Sequence, residues 1–176
     1  MSEDRSPRYR EIIAAARDLL ERGGPDALTM RAVAEALGIK APSLYKHLPH
    51  KDALELALII DGFTEAAGSF EAATAEASDQ LAAFAQAYRT YAVNHPHLYR
   101  LMTERPLPRE SMPPGLEERT AAPLVRATGH PVRARAAWAF LHGMTMLELN
   151  QRFPTDGLTE SAWQSGIAAF QPDTEV

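Results

Sequence analysis

The sequence predicts an all-α protein of about nine helices, and three observations support this fold class. Apolar residues recur at helical spacing in one segment after another. Ser, Thr, Asp or Pro stands at the start of several of these segments, where helices are commonly capped. No segment alternates apolar and polar residues in the way that a half-buried strand requires.

The first helix begins with Ser6 as its N-cap and Pro7 at its opening position. Its apolar residues form a single stripe made of Tyr9, Ile12, Ile13, Ala16, Leu19 and Leu20. Gly23, Gly24 and Pro25 are expected to end it, since glycine and proline interrupt helices. We expect this helix to pack on the two that follow, as in three-helix DNA-binding units.

Two short helices joined by a tight turn are predicted next. Thr29 is a good N-cap, and Val33 and Leu37 follow it at helical spacing. Gly38 lies just past the end, where one residue often adopts a left-handed conformation. The second helix runs from about Ala41 to about His47, because Pro42 is tolerated only in a first helical turn. This arrangement is a helix-turn-helix.

The second short helix has a polar outer side. Leu44 and Leu48 face inward at i, i+4 spacing, which leaves Ser43, Tyr45, Lys46 and His47 outside. Hydroxyl, phenol, ammonium and imidazole groups bind phosphate oxygens and base edges. The alternative is an ordinary corner between two helices with a solvated basic side.

The run from residue 37 to residue 48, followed by Lys51 and Leu54, resembles the DNA-binding domain of the TetR family of bacterial repressors. The resemblance covers about residues 8–54. The positions that match the family pattern are Thr29, Ala34, Gly38, Leu44, Tyr45, His47 and Lys51. It implies that the second short helix enters the major groove, and that the protein binds a double-stranded DNA operator.

The same resemblance assigns roles to individual side chains. It implies that Tyr45, His47 and Lys51 contact phosphates. Lys40, Ala41, Ser43 and Lys46 would face the bases, and Thr29 and Arg31 complete the predicted DNA-binding set. Ala41 departs from relatives with a long polar residue, so it could only touch a thymine methyl group. His50 replaces the usual Ser or Asn cap of the next helix, and we expect a weaker cap there.

The net charge of −5 is unevenly distributed, which matters for a nucleic-acid partner. Residues 1–52 hold nine basic and eight acidic residues, while the remainder holds nine basic and fifteen acidic residues. A mildly basic surface can therefore exist on the first part. Arg5, Arg8 and Arg10 either approach the DNA backbone or belong to a solvated terminus. We expect a DNA-binding domain at residues 1–52 and a helical ligand-binding and dimerisation domain at residues 53–176.

The second part is predicted to be helical except for one segment. Prolines and a glycine make residues 105–115 irregular, and this loop could cover the entrance of a pocket. The predicted helices cover residues 51–75, 79–94 with Asp79 as cap, 97–103, 116–128 with an interruption at Pro123, 132–152, and 159–170 with Thr159 as cap.

The helix of residues 132–152 is apolar on every side and must be covered on every side. We expect its own domain to cover one side and a second copy of the chain to cover the other, in an intermolecular four-helix bundle with the last helix. The predicted dimer contacts are Phe140, Met144, Leu147, Trp163, Ile167 and Phe170. Burial of this helix within a monomer is the alternative.

Trp138, His142 and Gly143 resemble a Trp-His-Gly signature of one C-terminal subtype of the TetR family, and residues 95–102 fit the segment that precedes it. The ligand-binding halves of the family vary widely, so the resemblance does not identify an effector.

The second part is rich in aromatic and sulfur-containing side chains. Phe70 and Met146 belong to this set of side chains. The predicted pocket residues for a mostly apolar small molecule are Phe63, Phe84, Tyr88, Tyr91, Tyr99, Met102, Trp138 and His142. The alternative is that these side chains simply pack together.

Several classes of function are disfavoured. Without cysteine there is no disulfide or Cys-ligated metal site, and the charged first twenty residues are unlike a secretory signal. The longest apolar stretch, residues 134–147, is too short to span a bilayer, so we expect a cytoplasmic protein with no membrane partner. The histidines lack a compact metal spacing, and no nucleophile elbow, P-loop or dinucleotide motif occurs. We expect no enzyme activity, cofactor or metal.

These patterns together predict a ligand-responsive transcriptional repressor that binds a palindromic operator as a homodimer and leaves it when a small molecule binds. Two alternatives remain: a non-specific or architectural nucleic-acid-binding protein, and an enzyme with an incidental helix-turn-helix.

Overall fold

The computed structural model describes residues 6–172, and within this range it contains nine α-helices and no strand. The predicted all-α fold class is therefore confirmed. The helices are α1 (Pro7–Ala27), α2 (Met30–Ala36), α3 (Ala41–Tyr45), α4 (Lys51–Thr74), α5 (Gln80–Asn94), α6 (Pro96–Thr103), α7 (Leu116–Thr128), α8 (Pro131–Leu149) and α9 (Thr159–Ala168). Among the residues described, no helix is both long and apolar enough to cross a membrane.

The chain divides into two compact units. Unit 1 comprises Met1–Phe63 and His95–Pro113, and unit 2 comprises Thr64–Asn94 and Pro114–Val176. The division thus falls inside α4. Leu54 and Leu58, in the first turns of α4, are fully buried.

Unit 1 is built around α1. Its N-cap Ser6 accepts a hydrogen bond from the Tyr9 backbone at 3.1 Å. The helix breaks at Gly24, where φ is +71°, so the predicted end at the glycine pair is confirmed and one further turn leads to Ala27. Ile12, Ala16 and Leu20 are buried on its inner side.

Helix α6 joins unit 1 although it lies far along the chain. The Glu21 carboxylate of α1 accepts hydrogen bonds from the backbone N–H groups of His97 at 3.2 Å and Leu98 at 2.9 Å. A carboxylate at this position satisfies free N–H groups in the first turn of α6 and complements the helix dipole. A carboxylate from α1 thereby fixes the start of α6.

Unit 2 has an aromatic cluster and a charged cluster. Phe70 of α4 contacts Phe84, Tyr88 and Tyr91 of α5, with ring centroids 4.8 to 6.3 Å apart. Arg89 of α5 holds Glu148 of α8 at 2.7 Å and Glu160 of α9 at 2.8 Å, and its guanidinium lies 5.1 Å from the centre of the Trp163 ring. These contacts tie α5 to both C-terminal helices.

Three predicted helix boundaries need correction. Helix α7 continues through Pro123, because burial of the proline ring in the core outweighs the loss of one backbone hydrogen bond. Helix α8 ends at Leu149 rather than residue 152, because Gln151 adopts a left-handed φ of 53°. Thr159 is the first residue of α9, not its cap; Asp156 instead accepts a bond from the Leu158 backbone at 3.0 Å.

The loop and two helix starts can also be compared with the sequence predictions. Residues 105–115 are irregular apart from a 3₁₀ turn at Arg109–Ser111. Asp79 caps α5 by accepting from the Ala82 backbone at 2.9 Å. His50 precedes α4, and its Nδ1 accepts from the Ala53 backbone at 3.1 Å, so an imidazole makes the bond that Ser or Asn usually makes.

The Asp79 cap generates a prediction on stability. The hydrogen bond from Ala82 lowers the pKa of Asp79, and the amide of Gln171 contributes as well. Asp79→Ala should destabilise the protein by about 1 kcal/mol at neutral pH. A lowered folded-state pKa means that the stabilisation is present above the ordinary Asp pKa of about 3.9 and is lost below it. Urea unfolding at neutral and acidic pH measures this difference.

Asp79→Asn is the matched control, because an amide caps a helix without a titrating charge. A stability loss in Asp79→Ala that stays constant down to the most acidic pH would contradict the assigned role of the carboxylate.

Candidate nucleic-acid interface

The turn between α2 and α3 has a closely defined geometry. Thr29 begins α2 by accepting from the Ala32 backbone at 3.1 Å. At the other end, Ile39 N–H donates to the Ala34 carbonyl at 2.9 Å and Gly38 N–H donates to the Glu35 carbonyl at 3.0 Å. This pair of bonds is a Schellman motif, and Gly38 has the left-handed φ of 64° that the motif needs. The predicted role of Gly38 is confirmed.

Helix α3 is shorter than predicted. It ends at Tyr45, because both His47 and Leu48 turn their N–H groups back to the Leu44 carbonyl, at 2.9 and 3.0 Å, and close the helix with a tighter turn. Leu44 and Leu48 are buried, as expected. These two leucines anchor α3 and the turn after it to the core, and the polar side chains between them stay exposed.

The structure places the predicted DNA-binding residues in α2, α3, the turn after α3, and the start of α4. The exposed members of the set are Thr29, Arg31, Lys40, Ser43, Tyr45, Lys46, His47 and Lys51, and Ala41 is half-buried. The Thr29 hydroxyl is already used as a helix cap. Hydroxyl, phenol, imidazole and cationic groups are therefore presented together by unit 1.

Arg31 already has an intramolecular partner. Its Nε donates to Glu35 Oε1 at 2.7 Å, and this bond raises the pKa of Arg31 above its ordinary value. Both side chains are largely exposed, so the pair is held weakly and Arg31 can exchange Glu35 for a phosphate.

Lys51 lies within a small ionic network that sequence reasoning did not detect. Its Nζ is 3.5 Å from the Pro25 carbonyl and 3.6 Å from Glu55 Oε1. Glu55 is only 8% exposed, and its second oxygen accepts from Arg105 Nη1 at 2.8 Å. The i, i+4 spacing of Lys51 and Glu55 was a usable signal. No local signal points to Arg105.

Two of the three N-terminal arginines, Arg8 and Arg10, lie in the described part of the chain. Arg8 pairs with Glu11 at 2.7 Å, and Arg10 is exposed. Arg5 lies outside the described residues.

The predicted pocket residues belong to different units. Phe63, Tyr99 and Met102 lie in unit 1, whereas Phe84, Tyr88, Tyr91, Trp138 and His142 lie in unit 2. Phe84, Tyr88 and Tyr91 are buried against Phe70. Trp138 is 49% exposed, with its ring 6.3 Å from that of His142. A shallow depression of about 360 Å³ runs along residues 107–111 of the loop itself.

Two predicted dimer contacts belong to the core of the chain itself. Trp163 is 2% exposed and Met144 is also buried in a single chain. Phe140 packs its ring against both Trp163 and Phe170, with centroids 6.0 and 5.8 Å apart, and joins α8 to α9 within one chain. Ile167 and Phe170 are half-buried, and Leu147 is 44% exposed.

An exposed, polar helix held by a glycine-dependent turn and followed by a separate helical unit defines a DNA-binding regulator of the helix-turn-helix class. Comparison with known proteins identifies the family. Residues 12–58 match the model described as bacterial regulatory proteins of the tetR family, and residues 81–170 match the tetracyclin repressor-like C-terminal domain. The chain belongs to the TetR family of transcriptional regulators, which are not enzymes.

Individual relatives agree with this assignment. An uncharacterised HTH-type transcriptional regulator of Mycobacterium tuberculosis is 32% identical over 157 residues, which cover 78% of this chain and 68% of the relative. An HTH-type regulator of Mycobacterium bovis is 30% identical over 64% of this chain, and the match spans only 49% of that protein. The class A tetracycline repressor of Escherichia coli is 44% identical over 57 residues, or 30% of this chain and 26% of the repressor.

Solved structures show the same fold over nearly the whole chain. The crystal structure of SCO4313 has a TM-score of 0.75 and 27% identity, and the alignment covers 94% of this chain and 98% of that one. A variant of TetR from Acinetobacter baumannii AYE, in complex with minocycline, has a TM-score of 0.64 and 27% identity over 94% of both chains.

The roles that the family resemblance implies for the residues of α3 and the turn after it predict two kinds of DNA-binding mutant. Tyr45→Phe and His47→Ala should weaken binding to all DNA sequences nearly equally, since phosphate contacts carry no sequence information. Ser43→Ala and Lys46→Ala should instead change which sequences are preferred. Fluorescence anisotropy with preferred and scrambled duplexes separates the two kinds. An equal loss on both duplexes for Ser43→Ala and Lys46→Ala would show that the base-reading side is wrongly assigned.

Proposed function

We propose that the protein is a ligand-responsive transcriptional repressor that binds a palindromic operator as a homodimer in the cytoplasm. A small molecule bound by the C-terminal half would release the operator. The observation that carries the proposal is α3, whose buried Leu44 and Leu48 leave Ser43, Tyr45 and Lys46 free to meet DNA.

The small-molecule part of the proposal has support from a relative and from composition. A TetR variant of similar fold and 27% identity forms a complex with minocycline. Unit 2 gathers Phe70, Phe84, Tyr88 and Tyr91 into one cluster, and aromatic side chains of this kind predominate in sites for mostly apolar ligands. We further propose that Trp138, His142 and Gly143 place this half in the Trp-His-Gly subtype.

Release follows if the ligand favours an arrangement that cannot bind DNA. Helix α4 supplies residues to both units, so a ligand that changes its position could alter the spacing of two recognition helices. To move the protein from 1:99 to 99:1, the ligand must prefer the non-binding arrangement by about 5.5 kcal/mol.

A gel-shift assay with genomic fragments tests the function, and we expect a discrete complex on a palindromic site. Its half-sites should be about 34–36 Å apart, or a multiple of this distance. A thermal-shift screen of metabolites and antibiotics, with minocycline as the first probe, should yield ligands that stabilise the protein and dissociate this complex.

Each failure has its own meaning. Weak binding that does not depend on the DNA sequence would favour an architectural nucleic-acid-binding protein. Ligands that stabilise the protein and leave the operator affinity unchanged would show that the site is not a sensor.

The homodimer is tested through the exposed side of α8. Leu147 is 44% exposed in a single chain, and an apolar side chain on this helix is suited to contact a second copy. Leu147→Glu should place a charge in the contact and shift the protein toward monomer in analytical ultracentrifugation.

Val93→Glu is the control, because Val93 is equally exposed, at 47%, at the end of α5. A Leu147→Glu protein that stays as dimeric as wild type would refute this placement of the contact.

A further inference from the structure

Glu55 is a buried carboxylate shared by two cations. It lies on α4, one turn after Lys51, and is only 8% exposed. Arg105 Nη1 donates to one oxygen at 2.8 Å, whereas Lys51 Nζ is 3.6 Å from the other. A buried carboxylate needs a close partner to offset its lost hydration, and Arg105 is that partner.

Lys51 is held more loosely than Arg105. Both contacts of its ammonium group in the network are long, at 3.6 Å to Glu55 and 3.5 Å to the Pro25 carbonyl, and its side chain is 44% exposed. At these lengths the hydrogen bond to Pro25 is weak, and the contact with Glu55 is an ion pair without a hydrogen bond. An ammonium group has three donors, so Lys51 retains the capacity to bind a phosphate oxygen.

We infer that Arg105 is a positioning residue for DNA binding that acts through Glu55 on Lys51. While Arg105 satisfies Glu55, Lys51 stays available to a DNA phosphate. When Arg105 leaves, the unpaired carboxylate draws Lys51 into a close ion pair and removes it from the phosphate. The inference rests on the proposed contact between Lys51 and DNA.

The position of Arg105 in the chain gives this network a regulatory use. Segment His95–Pro113 belongs to unit 1, and the residues that precede and follow it belong to unit 2. The segment that carries Arg105 is therefore connected to unit 2 through the covalent chain at both ends, and a change in unit 2 that moves these ends would move Arg105. Withdrawal of Arg105 from Glu55 would then lower DNA affinity without any change in α3.

Salt titrations of binding to a mixed-sequence DNA duplex test the inference, since phosphate contacts do not depend on sequence. Lys51→Gln should weaken binding roughly fivefold at about 0.15 M salt and reduce the salt slope by about one. Arg105→Gln should do the same, although Arg105 is not among the residues assigned to phosphate contact. In the Lys51→Gln background, Arg105→Gln should have no further effect.

Rescue provides the complementary measurement. Glu55→Gln, combined with Arg105→Gln, should restore both affinity and salt slope, because an amide cannot hold Lys51 as a carboxylate does. Arg119→Gln is the matched control: it removes an arginine of the same kind, paired with Glu71 at 2.7 Å in unit 2, and should leave DNA binding unchanged.

The outcomes separate the inference from the proposed function. If Arg105→Gln weakens binding equally with and without Lys51, or lowers affinity with an unchanged salt slope, its role is structural and the inference is wrong. If Lys51→Gln weakens binding and Arg105→Gln does not, the inference alone fails. If Lys51→Gln has no effect while the duplex is bound, the contact assigned to Lys51 is wrong and the inference fails with it.

Discussion

The left-handed backbone at Gly38 is the constraint on which the DNA-facing surface depends. Only a residue without Cβ adopts this conformation freely, and the Schellman bonds of Gly38 and Ile39 then set where α3 begins. Leu44 and Leu48, which follow that starting point, are buried in the core. Their burial leaves the polar side chains of this stretch outside, so the backbone at Gly38 helps to determine which residues can meet DNA.

Electrostatic contacts perform a different task in each unit. In unit 1 the carboxylates of Glu21 and Glu55 both bind the segment His95–Pro113, one through backbone N–H groups and one through Arg105. Two acidic residues, one on α1 and one on α4, thus hold this segment from the middle of the chain in unit 1. In unit 2, Arg89 and Arg119 join neighbouring helices through acidic partners, and the surplus of acids there is partly used in this way.

Local chemistry explains how much of the structure could be predicted from sequence. The capping bonds of Thr29 and Asp79 and the turn at Gly38 join residues three to five positions apart, so they were predictable. Glu21 and His97 are 76 positions apart, and no local pattern indicates such a contact. Apolar periodicity also predicts that α8 is covered on every side without showing by what. Phe140 packs against Trp163 within one chain, and the second copy of the chain on the other side of α8 stays a prediction.

The charge distribution favours sequence-specific binding over architectural binding. A protein that binds DNA only through its backbone needs many phosphate contacts. Residues 1–52 have nine basic residues against eight acidic ones, and Arg31 and Lys51 both lie beside carboxylates. Phosphate attraction alone is therefore weak, and the proposed operator binding depends on the contacts with base edges that we predict for Ser43 and Lys46. A protein that depends on a few contacts with base edges is also easily released from its DNA site, because a small change in the position of α3 removes these contacts together.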